Sequence, residues 1–170
     1  EKKTGHKVVG TFGPMGTIQG KLKAGEKADL VLMTKVAMDA TEKDGVKLGG
    51  ERKAIGRVMI GLAVKEGAPV PDIKTVDGFK AALLAAKSVA YVDPATGATS
   101  GTHFAKMLEK MGIAEQVNRN AKLKPGGYVV ELVAKGEADI GIHQISEILP
   151  VKGVKLVGPL PAEVNLISTY

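Results

Sequence analysis

The sequence contains no cysteine and no tryptophan, and only 4% of its 170 residues are aromatic. Without cysteine the chain cannot form disulfides, thiolate metal sites or a cysteine nucleophile. The three histidines are too dispersed for a local metal-binding motif, so we expect neither a metal nor another cofactor. No apolar run reaches the length of a membrane span. A hydrophobic content of 44% nevertheless supports a globular protein with an aliphatic core.

The charge balance is basic, with 24 Lys and Arg residues against 18 Asp and Glu residues and a formal net charge of +6. Such a surplus favours anionic partners in general. The lysines are spread along the chain, however, and few aromatic side chains are available to stack on bases. We therefore expect no nucleic-acid partner.

Apolar and alternating segments predict strands that are separated by helices. The strands are expected at 8–12, 29–33, 55–65, 89–92, 138–142 and 154–157. Helical patterns cover 35–44, 76–87 and 102–111, with shorter ones at 18–24 and 129–133. This alternation indicates an α/β fold with a mostly parallel sheet. Segments 23–32 and 134–142 share a Gly-Glu, Ala-Asp, strand pattern, which is either a two-lobe pseudo-repeat or a common way to leave a helix.

Three loops rich in small residues precede predicted helices: 13–17, 99–102 and 126–127. Free N–H groups at a helix start, together with the helix dipole, can hold an anion without any charged side chain. If the helices follow their strands in one direction, these loops open on one sheet edge, where open α/β sheets bind ligands. The alternative for each loop is an ordinary helix cap. The first loop is not a P-loop, because its spacing is one residue short and Leu22 replaces the Ser or Thr.

A few polar side chains lie near these loops in the predicted elements. Arg57 interrupts an apolar strand, and it either faces solvent or directs its guanidinium to a carboxylate or oxyanion. His143 and Gln144 follow a strand, where a parallel sheet places ligand contacts. No nucleophile elbow and no paired-carboxylate spacing indicates a catalytic site.

Three segments carry a family resemblance: GTFGPMGTIQGKLKAGEKADLVLMT (10–34), AYVDPATGATSGTHFAKMLEKMGI (90–113) and ELVAKGEADIGIHQISEILPVKGVKLVGPLP (131–161). In order and spacing they resemble the molybdate-binding-protein-like group of periplasmic solute-binding proteins. The resemblance implies a type II periplasmic-binding-protein fold, in which two α/β lobes joined by crossing strands close on an anion. Lobe one would comprise 1–61 and 158–170, and lobe two 62–157. Both ends of the chain would be truncated relative to that fold.

The resemblance also implies a role and a set of site residues. A periplasmic or secreted monomer would capture a small anion and present it to a membrane ABC transporter permease. The expected ligand-binding residues, with Arg57 added for its charge, are Gly13, Met15, Gly16, Thr17, Arg57, Thr99, Ser100, Gly101, Gly126 and Gln144. The Ser-rich loop of molybdate binders corresponds to Pro14-Met15-Gly16 here, and their strand-end tyrosine corresponds to Gln144. The ligand is therefore either a molybdate-like oxyanion or an organic carboxylate.

An enzymatic alternative follows from the same resemblance. The group is similar to aconitate isomerase, an enzyme on this binding-protein fold. In that alternative an unsaturated polycarboxylate occupies the cleft, and His103 would be the base that moves an allylic proton.

Overall fold

The computed structural model describes residues 2–170 and contains seven α-helices and six β-strands in that range. The helices are α1 (Met15–Lys23), α2 (Lys35–Lys43), α3 (Val76–Ala85), α4 (Thr99–Lys110), α5 (Ala114–Asn118), α6 (Glu131–Ala134) and α7 (Ile145–Ile148). The strands are β1 (Arg57–Lys65), β2 (Val89–Val92), β3 (Lys122–Lys124), β4 (Ile140–Gln144), β5 (Val154–Pro159) and β6 (Ile167–Thr169). No helix among these residues is long and apolar enough to cross a membrane.

The six strands form a mixed sheet in the order β3-β2-β4-β1-β5, with β6 paired to β1. Strand β2 runs parallel to β3 and β4, whereas β1 runs antiparallel to β4, β5 and β6. The α/β prediction is confirmed, but the expectation of a mostly parallel sheet is wrong. Alternation of strands and helices indicates the fold class, while strand direction depends on connections that the local pattern does not encode.

Two predicted strands, 8–12 and 29–33, are absent, because residues 2–56 contain no strand. Their apolar side chains are largely exposed: Phe12 is 92% exposed and Leu30 is 86% exposed. A strand is stabilised by backbone hydrogen bonds to a neighbouring strand, which the sequence pattern of one segment does not supply. Apolar alternation alone therefore overpredicted strands in this part of the chain.

The helices on either side of these segments are confirmed. Helix α1 ends before Gly25 (φ 88°) and α2 before Gly45 (φ 90°), both in the left-handed conformation that favours glycine at a helix end. Helix α4 begins at Thr99, three residues before its predicted start, because the N–H of Thr102 already donates to the Ala98 carbonyl.

The hydrophobic core covers both faces of the sheet. Leu62 and Val64 of β1 belong to one cluster, which includes Phe104 of α4, whereas Ala63 belongs to a second cluster with Val133 of α6. This division follows from the two-residue period of a strand, in which successive side chains point to opposite faces. The first part of β1 pairs with β6 and the rest pairs with β4 and β5. The boundaries of the two lobes stay a prediction.

Candidate functional site

A cavity of about 70 Å³ lies at one edge of the sheet, where the parallel strands β2 and β4 reach their carboxyl ends. Val92 and Gln144 are the last residues of those strands, and both border the cavity. Its lining residues are Pro14, Met15, Val92, Ala98, Thr99, Ser100, Gly126, Gly127, His143, Gln144, Glu147 and Tyr170. This edge is where open α/β sheets bind ligands.

The start of α4 forms one wall of the cavity through Thr99 and Ser100. The first N–H groups of this 12-residue helix have no partner within the helix, and the positive end of the dipole lies there. A Cβ atom on Gly101 would overlap the carbonyl oxygen of Val92, so glycine lets α4 begin directly against β2. The absence of this side chain therefore sets the position of the helix start.

The start of α1 borders the cavity through Pro14 and Met15. A Cβ on Gly16 would lie 2.5 Å from the carbonyl oxygen of Thr96, and one on Gly126 would lie 3.3 Å from the ring of Pro14. These close approaches bring the loops at 13–17, 94–102 and 126–127 together, as the loop pattern predicted.

The expected site residues separate into three groups. Met15, Thr99, Ser100, Gly126 and Gln144 line the cavity. Gly13, Gly16, Thr17 and Gly101 belong to the same helix starts but do not line it. Arg57 is exposed at the beginning of β1 and is absent from the lining. Ligand binding by any of these residues stays a prediction.

The Gln144 side chain is the most unusual polar group of the lining. It is 5% exposed, and its Nε2 donates to the Tyr170 hydroxyl at 3.2 Å. Its Oε1 is buried and has no hydrogen-bond partner among the described residues. Because a buried polar atom without a partner costs roughly 1–3 kcal/mol, this end of the amide is available to bond a group that enters the cavity.

His143 and Glu147 form a second polar group beside Gln144. The Nδ1 of His143 lies 2.6 Å from the Glu147 Oε2, and the imidazole Nε2 lies 3.1 Å from the Gly127 carbonyl oxygen. The side chain of His143 is 5% exposed and that of Glu147 is 45% exposed. The cavity therefore contains a buried imidazole and a carboxylate that reaches solvent.

Tyr170 completes this corner of the site. Burial raises the pKa of its hydroxyl above the ordinary value, and the charge of Glu147 adds to that effect. The phenol thus stays neutral at physiological pH and can donate or accept a hydrogen bond.

His103, the base expected in the enzymatic alternative, lies outside the cavity lining. Its Nε2 is 2.8 Å from the carbonyl oxygen of Val164, which can only accept, so this nitrogen carries a proton and donates it.

The sequence did not single out Glu147 or Tyr170. The four-residue interval from His143 to Glu147 was the available signal, although it spans a strand end and a helix start. Tyr170 has no local signal, because the pairing of β6 with β1 brings it to the site. Within residues 2–170, no three His, Asp or Glu side chains lie close enough together to hold a metal ion.

Comparison with known proteins identifies the group to which this architecture belongs. The family model described as "Bacterial extracellular solute-binding protein" matches residues 1–170. The chain belongs to this family. The molybdate-binding-protein-like resemblance found in the sequence is thereby confirmed.

Two relatives of this chain carry names that describe different functions. The aconitate isomerase of a Pseudomonas species is 36% identical over 176 residues, covering 100% of this chain and 66% of its own length. The molybdate-binding protein ModA of Azotobacter vinelandii is 30% identical over 167 residues, covering 93% of this chain and 61% of its own. The chain thus spans less than two thirds of the length of each of these two relatives.

Solved structures support the fold. The periplasmic molybdate-binding protein of Azotobacter vinelandii superposes with a TM-score of 0.67 at 18% identity, over 99% of this chain and 75% of that one. A substrate-binding domain of a molybdenum ABC transporter from Clostridium difficile gives a TM-score of 0.64 at 16% identity. The mixed α/β architecture of the solute-binding family is therefore present here.

Proposed function

We propose that this protein captures a small anion in the cavity and presents it to an ABC transporter permease in the extracytoplasmic compartment. The observation that carries the proposal is the buried Gln144, whose Oε1 lacks a partner beside the start of α4. Rotating the amide by 180° lets Oε1 accept from the Tyr170 hydroxyl and leaves Nε2 as a donor to the anion. The amides and hydroxyls of Thr99 and Ser100 supply further donors.

Closure between two lobes is part of the same proposal. The lining combines Pro14, Met15 and Tyr170 of the predicted lobe one with residues 92–147 of the predicted lobe two. An anion held by both sets of residues would favour their association, which is how a binding protein signals that it is loaded. We expect the protein to work as a monomer without a cofactor.

The ligand class is a small oxyanion or a short carboxylate. The lining contains no Lys or Arg, so neutral donors would provide the attraction. Arg57 lies outside the lining, and it would affect affinity only for an anion that extends beyond the cavity.

Mass spectrometry of small molecules released from the purified protein, followed by calorimetric titration with molybdate and with cis-aconitate, tests this function. Gln144→Ala should weaken binding about tenfold or more, because loss of a buried hydrogen bond to a charged group costs roughly 1.5–3 kcal/mol. The exposed Gln116→Ala is the matched control. If Gln144→Ala and Gln116→Ala bind the anion with equal affinity, the cavity is excluded as the site. If Arg57→Ala binds the anion more weakly than the wild type, the site extends beyond the cavity.

A second candidate function is an isomerase acting on an unsaturated polycarboxylate. The 36% identity to an aconitate isomerase favours it, as does the His143–Glu147 pair beside the cavity. In an allylic shift, a base takes a proton from one carbon, the double bond moves, and a proton returns to another carbon without any redox partner.

Incubation with cis-aconitate, monitored by proton NMR, tests the isomerase directly. Appearance of the trans isomer would establish turnover, and no conversion by a protein that binds the acid would exclude it. If turnover occurs, its loss in His103→Gln with retention in Glu147→Gln would assign the base to His103. The opposite result would assign it to the pair.

A further inference from the structure

The cavity contains a carboxylate although it is proposed to bind an anion. Glu147 is the acidic residue of the lining, and no Lys or Arg is present there to neutralise it. Two negative charges in one small cavity repel each other, and the repulsion is stronger there than in bulk water because the local dielectric constant is lower. An anion therefore requires that the charge of Glu147 be neutralised inside the site.

The geometry of His143 places the neutralising proton. The Gly127 carbonyl oxygen can only accept, so the imidazole Nε2 at 3.1 Å must donate. The other nitrogen, Nδ1, lies 2.6 Å from Glu147 Oε2, which is short enough to require a hydrogen bond between them. Without a proton between them, a lone pair of Nδ1 would face a lone pair of the carboxylate.

Two forms of the pair satisfy this contact. Either an imidazolium donates to the carboxylate, or a protonated carboxyl donates to a neutral imidazole. The backbone N–H of Gln144 donates to Nδ1 at 2.8 Å, and this bond favours the second form, because a protonated Nδ1 would have no lone pair to accept it. Both forms hold one proton and have no net charge, whereas loss of that proton leaves a charge of −1 in the cavity.

The surroundings supply no other compensating charge in the lining. Helix α7, which carries Glu147, packs on β1, β4 and β5. The other charged residues of these strands are Arg57, Lys65 and Lys155, and none of them lines the cavity. Near the Gly127 loop, Lys124 Nζ is bonded to Glu131 at 2.7 Å, and Tyr170 is neutral.

We propose that the anion binds only while the His143–Glu147 pair retains its proton, so that Glu147 acts as a pH-dependent specificity residue of the cavity. This inference rests on the proposed anion-binding function. The affinity is full where the pair is protonated and falls as pH rises beyond the loss of that proton. With one linked proton the limiting decrease is tenfold per pH unit.

Calorimetric titration with cis-aconitate and with molybdate, from pH 6 to 9.5 in buffers of different ionisation enthalpy, measures this proton. We expect uptake to approach one proton per bound anion as pH rises. Glu147→Gln should take up fewer protons and bind with a weaker pH dependence, because it removes the carboxylate that repels the anion and leaves only the imidazole of His143 at the pair. Glu163→Gln, which removes an exposed carboxylate outside the cavity, should behave as the wild type.

The difference between the two variants cancels the ionisation of the probe itself. His143→Gln supplies an independent measurement, since Glu147 then stays charged and binding should be weaker at every pH. Thermal unfolding of each variant checks that the fold is intact. Equal proton uptake by Glu147→Gln and the wild type, with binding retained, would overturn the inference alone. No binding of either probe by the wild type at any pH would overturn it together with the proposed function.

Discussion

The sheet region (residues 57–170) and the N-terminal region (residues 2–56) differ in how they bury their apolar side chains. Both hydrophobic clusters are built from residues 60–166. In the N-terminal region, the buried residues are Met33, Thr34, Ala37 and Thr41. Val9, Phe12 and Leu30 there are each more than 80% exposed, and an open space of about 1120 Å³ borders the segment 27–32.

The difference shows what an apolar segment needs to become a strand. Segments 8–12 and 29–33 are rich in apolar residues, as β2 is, yet only β2 has neighbouring strands, β3 and β4, with which to exchange hydrogen bonds. Helices α1 and α2 form in the N-terminal region because their backbone bonds are internal. In the N-terminal region the local pattern was therefore sufficient to predict the two helices and insufficient to predict strands.

Matched phenylalanine substitutions should give the largest contrast between the two regions. Phe104 is fully buried and packs edge-on against Tyr91, with ring centroids 4.8 Å apart, whereas Phe12 is 92% exposed. We expect Phe104→Ala to lower the free energy of unfolding by about 3–5 kcal/mol. Phe12→Ala should change it by less than about 0.5 kcal/mol. Urea denaturation measures both, and similar losses would show that Phe12 is buried in solution.

Two helix glycines should respond to alanine with opposite signs. Gly101 of α4 has no room for a Cβ beside the Val92 carbonyl, whereas Gly20 of α1 faces open space. Gly101→Ala should lower the free energy of unfolding by about 1–3 kcal/mol through overpacking. It should also shift the start of α4 and thereby weaken anion binding. Gly20→Ala should stabilise α1 by roughly 0.5–1 kcal/mol.

Thermal unfolding gives the effect of Gly101→Ala, and amide hydrogen exchange within α1 gives that of Gly20→Ala. If Gly101→Ala unfolds at the same temperature as the wild type, the result would contradict the close approach of α4 to β2.

The same contrast explains how much of the fold the sequence could predict. β1 and β2, the glycine-terminated helices and the α/β class follow from local pattern and are confirmed. The mixed sheet was not predictable, because β1 runs opposite to β4 only as a result of long-range pairing such as Leu62 with Ile142.

The convergence of the loops was predicted from the sequence, whereas the full set of residues around the cavity was not. The small-residue loops do converge, since Gly16 and Gly101 allow close backbone contacts that their sequence setting suggested. Tyr170 reaches the cavity through tertiary structure, so no spacing in the sequence marks it, and the only local signal for Glu147 is its four-residue interval from His143. Arg57 was selected for its charge, but its position at the exposed start of β1 follows from strand register.

Two side-chain amides provide a finer test of the comparison. Asn165 accepts from the Ile60 N–H and donates to the Ile60 and Leu160 carbonyls, each at 3.0 Å. Gln19 joins α1 to α2 by donating to Ala37 O and Thr41 Oγ1, each at 3.2 Å. Asn165→Ala should lower the free energy of unfolding by about 1–3 kcal/mol, because it leaves the Ile60 N–H without that partner.

Gln19→Ala should cost about 1 kcal/mol or less, since Thr41 Oγ1 still donates to the Ala37 carbonyl after the change. Urea denaturation of both variants gives the comparison. A larger loss for Gln19→Ala than for Asn165→Ala would mean that the α1–α2 contact contributes more to stability than the loop before β6.

The smallest effect is expected at the surface of α2, where Arg52 contacts Asp39 at 2.7 Å and Glu42 at 2.5 Å. The hydrogen bond from Arg52 lowers the pKa of the Asp39 carboxyl below its ordinary value. A carboxyl with a lowered folded-state pKa stabilises the protein above its unfolded pKa, and this contribution is lost as pH falls through the folded value.

Arg52→Ala should therefore return the pKa of Asp39 toward normal and flatten the acid side of the stability curve slightly. NMR titration of Asp39, with Lys53→Ala as the neighbouring control, measures this shift. An unchanged pKa would mean that solvent screens the pair completely, as it does for many exposed ion pairs. The N-terminal region would then draw its order from the local bonds of α1 and α2 and from the Gln19 bridge, and not from surface charge.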